Sequence, residues 1–272
     1  MPPIDDKLET QKQWNTDPCG AVTAKGLEPG SAAFYARVES ERYDVYAPWM
    51  RETLGFDAHA GRRILEIGPG LGTDHAQFAR EGGQMFALDL TSAHLEHTRR
   101  RFAIEGLVTR PARGDAESLP FRDRAFDVVY SFGVIHHTPR MQAAIDEVWR
   151  VLKPGGLALV GLYHKHSAFY WIHTILLRGL VLGGLLRKGY RLLLSEIEYR
   201  SPGSDAVPLV QVVTRKQCRH LFGRFAGVTI DTRHIDLSHA LPFIPASPAR
   251  TRRVLERVAG RFGWYLIVAA RK

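Results

Sequence analysis

The stretch that most constrains this 272-residue chain runs from Arg63 to Asp89. An apolar run, Arg63-Ile64-Leu65-Glu66-Ile67, leads into Gly68-Pro69-Gly70-Leu71-Gly72 and then into a helical segment from Thr73 to Glu81, which Gly82-Gly83 stops. A second apolar run, Met85 to Leu88, ends in Asp89. Glycines placed directly after a strand let the backbone turn tightly and approach a ligand at the start of the next helix. A carboxylate at the end of the following strand can accept both hydroxyls of a nucleoside ribose. The glycines are spaced G-x-G-x-G, not G-x-G-x-x-G as in dinucleotide sites, and the tighter loop suits a ligand without a pyrophosphate.

The same alternation continues downstream. Val108 to Arg113 reads as a weaker strand, and Pro111 places it at a sheet edge. Phe126 to Ser131 is a fourth strand. Thr138-Pro139 offers an N-cap and a first-turn proline for a helix reaching about Leu152. Lys153-Pro154-Gly155-Gly156 reads as a turn before a fifth strand, Leu157 to Tyr163, and Val228 to Arg233 and Gly263 to Ala270 complete the set. The expected fold is α/β, a Rossmann-like, doubly wound, mostly parallel seven-stranded sheet. Residues 1–60 are expected to form a helical N-terminal cover, most clearly helical over Ser31 to Leu54. Residues 61–272 form the sheet domain, interrupted by a helical insertion over 164–224.

Composition excludes several classes. With 45% hydrophobic and 24% charged residues the chain is neither disordered nor collagen-like. Two cysteines, Cys19 and Cys218, cannot build a disulfide framework or a cysteine-rich zinc site, which suits a reducing compartment. The opening Met-Pro-Pro-Ile-Asp-Asp lacks a basic region followed by an apolar run, so a cytoplasmic location without a signal peptide is expected. The apolar stretch Ser167 to Leu186 is broken by His173, Arg178 and glycines, unlike a spanning helix. The net charge of +9 is uneven, with 17 basic against 6 acidic residues after position 177. Arg250, Arg252, Arg253, Arg257 and Arg261 cluster there, either as a solvated face or as a patch for anions.

Three further blocks occur in order with the glycine loop: Gly114-Asp115-Ala116-Glu117-Ser118-Leu119-Pro120-Phe121, then Phe126 to Ser131 with Gly133-Val134-Ile135-His136-His137, then Leu152-Lys153-Pro154-Gly155-Gly156. With these blocks the sequence resembles the class I S-adenosylmethionine-dependent methyltransferases, most closely the branch called type 11, over residues 60–163. The resemblance implies S-adenosyl-L-methionine as cofactor and S-adenosyl-L-homocysteine as product. It implies that Glu66 holds the methionine amino group, that Gly68, Pro69, Gly70 and Gly72 admit the methionine and ribose, and that Asp89 binds the ribose hydroxyls. Leu90 would pack on adenine, Asp115 would accept from its amino group, the Ala116 N–H would reach a ring nitrogen, and the Ser131 carbonyl would face the methionine ammonium. Among the N-terminal aromatic residues Tyr43, with Tyr35 and Trp49, is a candidate to touch the methionine carboxylate or the substrate. Packing of an aromatic helix face onto the sheet is the alternative.

The acceptor side is less determined. His137, and next to it His136, follow the fourth strand where an acceptor would approach, and are the candidate catalytic residues, His137 as a general base. No metal cluster is visible in the sequence. The insertion, with Phe169, Tyr170, Trp171, Ile175, Leu176 and Leu180, suits an apolar or aromatic acceptor, and Arg178, Arg187, Lys188 and Arg191 beside it suit a peripheral membrane contact. The expected activity is methyl transfer to a small-molecule acceptor of natural-product, sugar-linked or quinone-like type. Methylation of nucleic acid, methylation of a lipid or quinone at a membrane surface, and non-catalytic binding are the alternatives. No nucleic-acid-binding module or Asn-Pro-Pro-Tyr-type motif supports the first of these. Oligomeric state is open.

Overall fold

The computed structural model describes residues 5–235 and 260–272. Seven strands form one sheet: β1 (Arg63–Ile67), β2 (Gln84–Asp89), β3 (Thr109–Arg113), β4 (Phe126–Phe132), β5 (Leu152–Tyr163), β6 (Gly227–Arg233) and β7 (Tyr265–Arg271). Their order is β3-β2-β1-β4-β5-β7-β6. β1 to β5 are parallel, and β7 runs antiparallel to both neighbours. β1 and β4 carry near-continuous apolar runs because helices cover both faces. β3 is the expected edge strand, with Pro111 opposite Ala87.

The helices are α1 (Asp6–Thr16), α2 (Ala32–Ser40), α3 (Met50–Leu54), α4 (Thr73–Arg80), α5 (Ser92–Glu105), α6 (Met141–Val151), α7 (Gly184–Ser195) and α8 (Arg215–Leu221). One side of the core packs α6 and α8 on the sheet through Val148, Ile145 and Phe222; the other packs Met50, Phe56 and Phe78 beneath Ile64 and Met85.

Ser31 to Leu54 is helical in three pieces: α2 passes into a π-helical turn, Glu41–Tyr46, and Ala47-Pro48 separates that turn from α3. Proline disfavours the helical conformation of the residue before it, and Ala47 adopts φ −136°. Three other expectations need correction. Thr138 does not cap α6. Its hydroxyl turns back to donate to the Ile135 carbonyl at 2.9 Å, closing a 3-10 turn over Ile135–His137, and α6 starts only at Met141. Lys153 to Gly156 is looped out within β5, whose register against β4 shifts between Phe126 and Val128. The insertion is only partly helical: a π-helix, Phe169–Val181, and α7 are followed by an irregular run to Val213.

Candidate active site

The strand order reverses between β1 and β4, and the loops at their carboxyl ends open a crevice there. A cavity of about 760 Å³ occupies it. The loop after β1 supplies Gly68, Pro69 and Gly70, the end of β2 supplies Asp89 and Leu90, and the loop after β3 supplies Asp115 and Ala116, all lining the cavity with Glu66. Gly68 has φ +77°, and a Cβ there would lie 2.2 Å from Val134 Cγ2, so only glycine fits between the two loops. Gly72 adopts φ +73° as the residue before α4 and shapes the loop from behind the cavity wall. Ser131 also lies behind the wall, its hydroxyl donating to the Ile67 carbonyl at 3.1 Å.

Three carboxylates stand close together here, each managed differently. Asp89 Oδ1 accepts from the Thr91 N–H and hydroxyl, both at 2.8 Å, and Oδ2 lies 3.0 Å from His94 Nδ1. These bonds orient the carboxylate and leave lone pairs toward the cavity. Glu66 is buried, and that burial together with the charges of Asp74 and Asp89 pushes its pKa well above the usual carboxylate range, Arg42 offsetting only part. It lies 2.9 Å from His75 Nδ1. Burial in turn pushes the His75 pKa down to about 3, so the imidazole is neutral, with Nε2 2.7 Å from the Thr109 hydroxyl. Asp74 is also buried, yet the Arg42 guanidinium and the Tyr43 and Tyr130 hydroxyls outweigh burial and hold its pKa low. Both tyrosines donate to it at 2.6 Å, and Arg42 binds it through Nε and Nη2.

That network relocates the N-terminal candidates. Tyr43 faces Asp74 and does not line the cavity, because its hydroxyl is spent on that buried carboxylate. Tyr35 donates to the His97 carbonyl at 2.9 Å, and Trp49 packs against Phe132 and Tyr265. The π-helical turn instead presents Arg42 and Tyr46 to the cavity. α1 lies across the opening with Lys7, Thr10 and Trp14 facing inward. Lys7 reaches Asp115 and Glu117, Asn15 accepts from the Ala93 N–H, and Gln13 donates to the Tyr199 carbonyl of the insertion. Arg191, Ser201 and Val207 of the insertion bond to Asp6, Asp17 and Glu9 of the N-terminal segment. The N-terminal segment thus bridges the two walls.

The far end of the cavity is aromatic. Phe132, Tyr163, Phe169, Trp264 and Tyr265 line it, with Tyr163 and Trp264 stacked at 4.3 Å between ring centroids. His137 and Glu198 add polar groups. His137 Nδ1 lies 2.6 Å from the Leu209 carbonyl, and Nε2 lies 3.8 Å from Glu198 Oε1. Glu198 accepts from the Tyr163 hydroxyl at 2.8 Å. His136 does not line the cavity. It is wholly buried against Tyr163, with ring centroids 3.8 Å apart, and burial first, then the neighbouring His137, pushes its pKa well below the ordinary imidazole value.

The family model described as a methyltransferase domain matches residues 65–160, the segment that carries the glycine loop, Asp89, Asp115 and the histidine turn. Over residues 65–160 the chain carries a methyltransferase domain. It is 41% identical over 124 residues to a fatty-acid O-methyltransferase of Mycolicibacterium smegmatis, covering 44% of each chain. It is 40% identical over 102 residues to a demethylmenaquinone methyltransferase of Clavibacter sepedonicus, covering 37% of this chain and 41% of that one. The match thus spans less than half the length of these curated relatives. A solved adenosylmethionine-dependent methyltransferase from Mesorhizobium loti shares the fold, with a TM-score of 0.52 and 20% identity over 84% of this chain and 99% of that one.

Outside the matched segment, two cavity-lining residues, Arg42 and Glu198, escaped sequence reasoning. Arg42 sits in an aromatic-rich stretch where the aromatic residues drew the attention, and its carboxylate partner is 32 positions away. Glu198 belongs to no motif, and only the return of the insertion over β4 brings it to His137. A glutamate flanked by Ile197 and Tyr199, in an insertion whose charges are mostly basic, was the available signal.

Proposed function

We propose that the chain transfers the methyl group of S-adenosyl-L-methionine to a small, apolar, ring- or lipid-borne acceptor. The observation that carries this reading is a cavity with two unlike ends. One is rimmed by Glu66, Asp89 and Asp115, charges that suit an ammonium, a ribose and an adenine amino group. The other is walled by aromatic rings. Arg42, a cation at the edge of the first end, is suited to the methionine carboxylate. The relatives named for fatty-acid and demethylmenaquinone substrates support an apolar acceptor. His137 faces the acceptor's reacting heteroatom: the Leu209 carbonyl can only accept, so Nδ1 donates to it and Nε2 is the nitrogen left to serve the acceptor, directly or through a group bound to it. Residues 1–60 act as the cover that excludes water from the sulfonium. Aligning the nucleophile with the S–CH3 bond supplies much of the rate.

A contact with a membrane surface is the second part of this reading. Leu176, Leu180, Val181, Leu182 and Leu186 are exposed at the turn between the π-helix and α7, with Leu186 96% exposed. Among the described residues no helix is long and apolar enough to cross a membrane. A monotopic contact needs only such a patch. The nucleic-acid alternative is disfavoured. Much of the basic excess that is described has internal partners: Arg178 and Lys188 bind Glu196, Arg191 binds Asp6, and Lys272 donates to the carbonyls of Trp149, Arg150 and Leu152 at the end of α6. Arg250, Arg252, Arg253 and Arg257 lie outside the described residues; Arg261 lies within them.

The test is incubation with deuteriomethyl-labelled adenosylmethionine and a panel of demethylated quinones, fatty acids, phenols and oligonucleotides, followed by mass spectrometry. Label in an apolar small molecule is expected. Label only in the oligonucleotide, or in nothing while the cofactor remains bound, would overturn the reading.

A further inference from the structure

His136, His137 and Glu198 bring three ligating groups together in the wall between the cavity and the core. The two histidines share the 3-10 turn after β4, with ring centroids 4.3 Å apart, and Glu198 arrives from the segment after α7. One ligating atom from each lies within 4.8 Å of the others. Among the described residues His137 Nε2 has no hydrogen-bond partner, and neither nitrogen of His136 has one, although all three atoms are buried. The Tyr163 hydroxyl, which donates to Glu198, leaves the imidazole nitrogens untouched. His137 Nε2 and Glu198 Oε1 face each other at 3.8 Å, beyond hydrogen-bond reach, and a buried polar atom left without a partner is costly.

We propose that His136, His137 and Glu198 bind one divalent transition-metal ion. Two imidazoles and a carboxylate suit zinc, cobalt, manganese or ferrous iron, and exclude calcium and magnesium as preferred occupants. Metal–ligand bonds of about 2.0–2.2 Å place two ligands of one ion up to roughly 4 Å apart, so the His137–Glu198 spacing already fits. The outer partners fit as well. Metal-bound histidine characteristically donates its other N–H to a carbonyl, as His137 does to Leu209, and a ligating carboxylate is itself hydrogen-bonded, as Glu198 is by Tyr163. Three protein ligands leave a coordination position, and His137 and Glu198 both line the cavity. For what the ion does, the inference rests on the methyl-transfer reading: an acceptor hydroxyl bound there loses its proton to solvent more readily. Its oxygen then attacks the methyl carbon, and the S–CH3 electron pair stays on sulfur.

The test uses untagged full-length protein, stripped with chelator and titrated with cobalt(II) without adenosylmethionine or acceptor. One ion per chain is expected, with visible absorption bands that zinc abolishes by displacement. Glu198→Gln retains the Tyr163 hydrogen bond and His137→Gln retains the Leu209 bond, so both are suited to fold. Each is expected to weaken binding at least tenfold, while His166→Gln leaves it unchanged. No cobalt spectrum, or unchanged affinity in both folded variants, would overturn the inference. A chain that transfers methyl but binds no ion overturns this inference alone. One that binds the ion and methylates nothing overturns the functional reading and leaves the site standing.

Discussion

The Lys7 ammonium of α1 lies 2.5 Å from the Asp115 carboxylate and 2.6 Å from Glu117, so the helix across the cavity mouth is pinned to the cavity-lining loop after β3. Both Lys7 and Asp115 are about a third exposed, and a pair so placed contributes about 1 kcal/mol or less to stability. Its effect is expected in kinetics. Lys7→Ala is predicted to leave the melting temperature within a few degrees of wild type and to speed cofactor dissociation several-fold, read by stopped-flow displacement. An unchanged dissociation rate would show that α1 does not retain the cofactor.

Asp89 is held by Thr91 and His94, so its carboxylate is oriented before any ligand arrives. Removing it deletes charge-assisted hydrogen bonds from an enclosed site. Asp89→Ala is expected to weaken adenosylmethionine binding by about 2–3 kcal/mol in isothermal titration. Affinity equal to wild type in a folded variant would remove Asp89 from the ribose site.

Glu66 carries a proton above the ordinary carboxylate range because burial and two neighbouring carboxylates disfavour its charge. A bound ammonium favours the charged form, so binding should expel that proton. Across the window between the usual carboxylate range and the raised value, cofactor affinity is expected to increase with pH. Calorimetry in two buffers of different ionisation enthalpy measures the released proton, and Glu66→Gln should eliminate it. Proton uptake by the wild type would contradict the assignment.

His75 has a folded pKa of about 3 against an unfolded value near 6.5. Below pH 6.5 the unfolded chain therefore binds a proton that the folded chain does not, and stability falls as pH drops toward 3. His75→Gln preserves the neutral donor–acceptor role between Glu66 and Thr109. Between pH 7 and pH 5 the wild type should lose about 2 kcal/mol more than this variant in urea unfolding. Parallel losses would place the acid sensitivity elsewhere.

Much of the sheet and of the glycine loop could be read from the sequence, because those features are local. The strand period, Gly68 to Gly72, and the carboxylate ending β2 each sit within a few residues of what they determine. Pro111 marked the edge strand by the same logic, through its missing N–H. Failures came where distant residues decide. Thr138 has the right chemistry for a cap, but the Glu117 carboxylate takes the Arg140 N–H at 2.7 Å, and the hydroxyl closes the preceding turn instead. Tyr43 was a sound candidate by type, yet the buried Asp74 claims it. The pairing of His137 with Glu198 depends on a 60-residue excursion of the chain, which no local pattern encodes.

The fit of Gly68 against Val134 leaves no room for either loop to shift without the other. The glycine loop after β1 and the turn that carries His137 are therefore one mechanical part. Redesign of this domain for a different acceptor would have to keep Val134 and its glycine partner as a fixed axle and place every change on the insertion side. Variation at position 134, however far from the methionine it looks in the sequence, would be felt first in cofactor geometry.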